Sequence, residues 1–113
     1  MHDILVVHNT RHMKTQGIRR VGYVKTSRRV LIERFGEPTN NTDEGFEWCL
    51  EFEVEVADTH DDFDTHHVTI YDDMANLDQD QEISWRIGGL NRLAVDLVDQ
   101  VVQGYTDFRL VED

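Results

Sequence analysis

Glu47, Glu51, Glu53 and Glu55 share one parity of an eleven-residue run with Cys49, while Phe46, Trp48, Leu50, Phe52, Val54 and Val56 occupy the other. A strict period of two is the pattern of a half-buried strand, apolar side chains inward and carboxylates outward. Alternate strand residues stand about 6.6–6.8 Å apart, so these glutamates form a line roughly 27 Å long. Asp58, Asp61, Asp62 and Asp64 extend that line at a hairpin tip, and Asp72, Asp73, Asp78, Asp80 and Glu82 add acid nearby. Regularly spaced carboxylates on a rigid sheet can imitate a nucleic-acid backbone and compete for the cationic groove of a nucleic-acid-binding protein. A plainer use is a solvated face that deters edge pairing and maintains solubility. Two lysines against nine arginines, with 23 acids among 113 residues, also fit a salt-loving host, and a high-GC genome would give the same arginine bias.

Other chemistry-bearing residues form weaker constellations. His60-Asp61-Asp62-Phe63-Asp64-Thr65-His66-His67 contains zinc-type ligands, but His66 and His67 are adjacent and would point to opposite faces of a strand. No spaced Cys or His pair accompanies them, so a polar hairpin apex is the expected reading and no metal or cofactor is assigned. His8 and His12 would share a face only if that stretch were helical, and Asn9-Thr10 favours a loop. Gly88-Gly89, flanked by Arg86 and Arg92, could offer backbone N–H groups to a phosphate at a strand-to-helix turn. It lacks the fuller glycine pattern of a nucleotide loop. No nucleophile stands beside a plausible base, and no carboxylate pair separates into acid and base. The expectation is a protein that binds rather than catalyses.

These residues need elements to position them. One domain is expected from the length. Residues 4–7 read as a strand and 8–17 as a polar connection. Residues 18–24 read as a second strand pairing with the first. Residues 28–35 read as a helix capped by Thr26 or Ser27 and ended by Gly36 before Pro38. After the glutamate strand come strands around Val68 and Ile70 and around Ile83, Trp85 and Ile87. Gly88-Gly89 is expected to break the last of these. Asn91 can then cap a helix whose Leu93, Ala94, Leu97, Val98, Val101 and Val102 step by three and four. Gly104 ends it, and 105–111 is an edge strand or ordered tail. The expected fold is α+β: an antiparallel sheet with two helices in the order β-β-α-β-β-β-α(-β), either with both helices on one face and the glutamates on the other, or as two thin layers with helices on opposite sides.

Charge is distributed unevenly. Residues 1–34 hold eight basic residues against two acids, whereas 35–113 hold three arginines against 21 acids, for a formal net charge of −12. The two parts can steady each other within one fold, and direct nucleic-acid binding must overcome repulsion from the acidic remainder. The single cysteine, Cys49, excludes an internal disulfide and fits a reducing compartment. No apolar run reaches the roughly 18–20 residues a membrane helix needs, and the N-terminus lacks a signal-peptide pattern, so a cytoplasmic protein is expected.

Tyr23-Val24-Lys25-Thr26-Ser27, Phe35-Gly36-Glu37-Pro38, Glu47-Trp48, Thr69-Ile70-Tyr71-Asp72 and Trp85-Arg86-Ile87-Gly88-Gly89 together resemble a family of small proteins encoded by phages and other viruses. The resemblance spans roughly residues 22–102. It implies a viral setting and an α+β fold, with no established activity to carry over. This chain departs from it by a longer acidic, histidine-containing segment between Glu53 and Val68, and by its N-terminal strand. The helix, Gly-Glu-Pro and strand tryptophan are also similar to the small outer-membrane lipoprotein of the barrel-assembly machinery, though this sequence shows neither signal nor lipid-attachment cysteine. The expected function is an acidic inhibitor or adaptor that presents Glu47, Glu51, Glu53, Glu55, Asp58, Asp61, Asp62 and Asp64 to a basic nucleic-acid-binding host protein. The competing class is a small-ligand or nucleotide binder using Arg86, Gly88, Gly89 and Arg92.

Overall fold

The computed structural model describes residues 2–42, 45–56, 62–72 and 78–113. Its elements are β1 (Ile4–Asn9), β2 (Arg19–Ser27), α1 (Arg28–Phe35), β3 (Asn40–Thr42), β4 (Gly45–Glu55), β5 (Phe63–Asp72), β6 (Glu82–Gly89), α2 (Leu93–Val102) and β7 (Arg109–Glu112). Among the described residues, seven strands form one mixed sheet in the order β2-β6-β5-β4-β1-β7, with β3 pairing with the first part of β4. The fold is α+β. Among the described residues no helix is long and apolar enough to cross a membrane.

Local chemistry explains most boundaries. β2 runs directly into α1, where the Val30 N–H donates to Ser27 Oγ at 3.2 Å and so satisfies one of the helix's free N–H groups. Gly36 ends α1 with φ of 81°, a left-handed value that costs little only without a Cβ. The Leu93 N–H donates to Asn91 Oδ1 at 2.9 Å, so Asn91 caps the start of α2 as its side chain suggests.

Three features depart from the expectation. β1 and β2 do not pair: β1 lies between β4 and β7, while β2 pairs with β6 at the far edge. Apolar partners decide this, because Val7 lies opposite Phe52 and Val24 opposite Trp85 on the core side. The sheet is mixed rather than antiparallel, because the C-terminal segment returns beside β1 in parallel. β3 adds a strand that the polar triplet Asn-Asn-Thr does not announce.

One core cluster joins both helices to the same face of the sheet, with Leu31 and Phe35 from α1 and Ala94, Leu97, Val98 and Val101 from α2. Trp48 and Trp85 meet edge to face at 5.5 Å and 83°, and Phe35 meets Phe52 at 6.0 Å. Each indole N–H is satisfied: Trp48 Nε1 donates to the Gly36 carbonyl and Trp85 Nε1 to the Thr26 carbonyl, both at 2.9 Å. Asn9, a buried polar residue at the end of β1, donates through Nδ2 to the Phe35 and Glu37 carbonyls at 2.8 and 2.7 Å. Its Oδ1 accepts from Thr39 at 2.5 Å. Asn9 thereby holds the exit of α1 against β1. With both helices on one side, the opposite face of the sheet carries the polar side chains.

Candidate functional site: the open face of the sheet

Strand register arranges the open face in rows. Asn40, Glu47, Tyr71, Arg86 and Tyr23 lie side by side across β3, β4, β5, β6 and β2. The next row is Cys49, Thr69, Gly88 and Arg20, and the one after it is Val111, His8, Glu51 and His67. Glu53 follows between Val6 and Thr65, and Glu55 lies opposite Phe63. The face therefore has an acidic half centred on β4 and a half on β2 and β6 rich in arginine and tyrosine.

Glu47, Glu51, Glu53 and Glu55 share this face, as the alternation in the sequence requires, and all four are half-buried because β4 is an interior strand. Histidines flank the middle of the row. His8 Nε2 lies 3.1 Å from Glu53 Oε1, and His67 Nε2 lies 3.6 Å from Glu51 Oε1; all four side chains are 26–31% exposed. These contacts become ion pairs when the imidazoles are protonated. Glu47 Oε1 accepts from Asn40 Nδ2 at 2.8 Å and from the Cys49 thiol at 3.5 Å. Burial, then the Glu47 charge and its hydrogen bond, push the Cys49 thiol up to about 12, so it stays protonated.

The remaining acids named from the sequence do not all join the row. Asp62 is exposed at the start of β5, where its carbonyl accepts from the Val56 N–H. Asp64 lies opposite Val54, so it belongs to the helix-side parity of β5 and not to the carboxylate face. Asp58 and Asp61, with His60, lie outside the described residues. His66 and His67 point to opposite faces, His66 beside Phe52 and His67 beside Glu51. His66 lines a cavity of about 170 Å³ with Asn91 and Ala94, and burial lowers its pKa while Asp64 opposes the shift. Among the described residues, no three potential metal ligands gather.

The Gly88-Gly89 phosphate turn is corrected. Both glycines lie within β6 and are buried, with Gly88 opposite Arg20 and Thr69 and Gly89 opposite Arg19; the chain turns only after them. A Cβ at Gly89 would stand 2.5 Å from the Ala94 Cβ, so this glycine seats α2 on the sheet. Arg86 and Arg92 do not flank one site. Arg86 lies over the Tyr71 ring at 5.8 Å on the open face, and Arg92 begins α2 in the helix layer.

Comparison with protein-family models, curated proteins and solved structures returned no match.

A cleft that the sequence did not announce lies beside Gly88. It measures about 400 Å³ and is lined by Thr15, Ile18, Arg19, Arg20, Glu47, Thr69, Tyr71 and Gly88. A Cβ at Gly88 would stand 2.2 Å from Thr69 Oγ1 and 3.0 Å from Ile18 Cγ2, so glycine lets both side chains close over the strand. Parity placed Thr69 and Tyr71 together, but only the pairing of β5 with β6 and of β6 with β2 brings Arg20 beside them.

Proposed function

We propose that this chain is a non-enzymatic binding protein of viral type, an inhibitor or adaptor that engages a basic nucleic-acid-binding surface of a host protein in the cytoplasm. The observation that carries this reading is the line of Glu47, Glu51, Glu53 and Glu55 along one strand, on the face that neither helix covers. A carboxylate strand held in a sheet has little side-chain freedom to lose on docking, which favours a defined charge spacing over a loose acidic tail. The chain's net charge of −12 would speed encounter with a cationic partner.

The test is recovery of partners from the lysate of a host, followed by binding of purified partner to the wild type and to a triple Glu51→Lys, Glu53→Lys, Glu55→Lys variant. Loss of binding by about tenfold or more, with the fold retained by circular dichroism, supports the reading. Unchanged binding by the reversed variant sinks it. A face that serves only solvation in a high-salt environment would yield no partner at all.

A further inference from the structure

We propose that the carboxylate row is proton-regulated: protonated His8 and His67 engage Glu53 and Glu51 internally and weaken the hold of the face on a cationic partner. This control acts on the acidic face proposed above and rests on that reading. The cross-strand register puts it in place. His8 on β1 and His67 on β5 stand on either side of Glu51, all three on the open face. His8 Nε2 reaches Glu53 Oε1 at 3.1 Å, and His67 Nε2 comes within 3.6 Å of Glu51 Oε1. Imidazole is the side chain that ordinarily changes charge between pH 5 and 8, a range in which carboxylates generally stay ionised. Protonating both rings therefore halves the formal charge carried by Glu47, Glu51, Glu53 and Glu55 together. The four contacting side chains are 26–31% exposed, so salt screens their attraction less than that of fully exposed charges.

The two rings have different neighbours. His8 faces Glu51 and Glu53 from β4, and Val111 from β7, with Arg109 one row away on the same face. Asp113 follows β7, its N–H donating to the Asn9 carbonyl, and Arg11 and His12 lie on the adjoining loop. His67 faces Glu51 from β4, while Leu90 and Asn91, just after β6, line a cavity with it. Arg20 on β2 belongs to the adjacent row, and His66 turns to the opposite face. Among the described residues, the ion-pair contacts of both rings are with carboxylates. Glu47 stands outside the switch, because it accepts from Asn40 and from the Cys49 thiol, which burial keeps protonated. Acidification therefore acts on the middle of the row and leaves its Glu47 end charged.

The probe is a rhodamine-labelled deca-arginine peptide, titrated with full-length protein at low salt and followed by fluorescence anisotropy. Wild-type affinity should fall about fivefold or more between pH 7.5 and 5.5, and the double variant His8→Gln, His67→Gln should lose most of that fall. Each single variant should lose part of it, which keeps the test open if the double variant misfolds, with circular dichroism at both pH values as the check. Linkage adds a second readout. A peptide that prefers the unprotonated rings must release protons as it binds, measurable near pH 6.5 by calorimetry in buffers of different ionisation enthalpy. Unchanged wild-type affinity across this range overturns the switch, as does an equal fall in the double variant. The triple Glu51→Lys, Glu53→Lys, Glu55→Lys variant separates the two readings. If it binds the peptide like wild type at pH 7.5, the acidic face itself fails. If it loses binding while the double variant keeps the full pH response, the face stands and only the switch falls.

Discussion

Individual residues on the open face owe their properties to what the sheet sets beside them. Cys49 shows this most clearly, since its thiol is buried next to Glu47 and pushed up to about 12. Native protein at pH 8 should therefore react with iodoacetamide about a thousandfold more slowly than urea-unfolded chain, as followed by mass spectrometry. His66 carries a second consequence. Burial is the largest cause of its lowered pKa, so the unfolded chain binds the proton more readily than the folded one. Its stabilising contribution is present above its ordinary value of 6.5 and is lost as pH falls through the lower folded value. Urea titrations at pH 7.5 and 5.5 should show stability falling on acidification, with a shallower fall in His66→Asn. An equal fall in the variant would assign the effect elsewhere. Asn9 makes a third case, because Asn9→Ala strands two carbonyls at the exit of α1. The expected loss is about 1–3 kcal/mol by urea denaturation.

At the level of elements, the decisive step is how strands choose partners. β4 was readable because its alternation runs for eleven residues, and α2 because its apolar stripe repeats over three turns. The pairing of β1 was not, since a short apolar run carries no label for its neighbour. It lies between β4 and β7 because Val7 and Leu110 complete the core beside Phe52. The C-terminal strand is also tied through the Thr10 hydroxyl, which donates to Asp113. Deleting residues 105–113 should therefore lower the unfolding midpoint and expose β1 as an edge, measurable as faster amide exchange at Val7 and Asn9. Gly89→Ala probes the other side of the sheet. Its methyl group would stand 2.5 Å from the Ala94 Cβ, and the resulting displacement of α2 should cost about 1–3 kcal/mol.

Over the whole molecule, segregation of the layers converts an acidic composition into a patterned surface. Both helices cover one face, leaving the other to divide between glutamates on β4 and arginine–tyrosine contacts on β2, β5 and β6. Partner binding through the glutamates should weaken steeply as ionic strength rises from low to physiological, since screening shortens the reach of exposed charges. Calorimetry across a salt series checks this, and a flat response would contradict an electrostatic interface.

The sequence alone determined the α+β class, the two amphipathic helices with their caps and glycine stops, and the shared face of Glu47, Glu51, Glu53 and Glu55, because each rests on local periodicity or local capping chemistry. Tertiary structure alone decided that His8 and His67 flank those carboxylates, that Asp64 faces away from them, and that Gly88 and Gly89 continue a strand instead of forming a phosphate turn. It also decided that Arg20, Thr69, Tyr71 and Glu47 surround one cleft. These residues are far apart in the chain, and their meeting depends on strand order and register, which are settled by the packing of a common core.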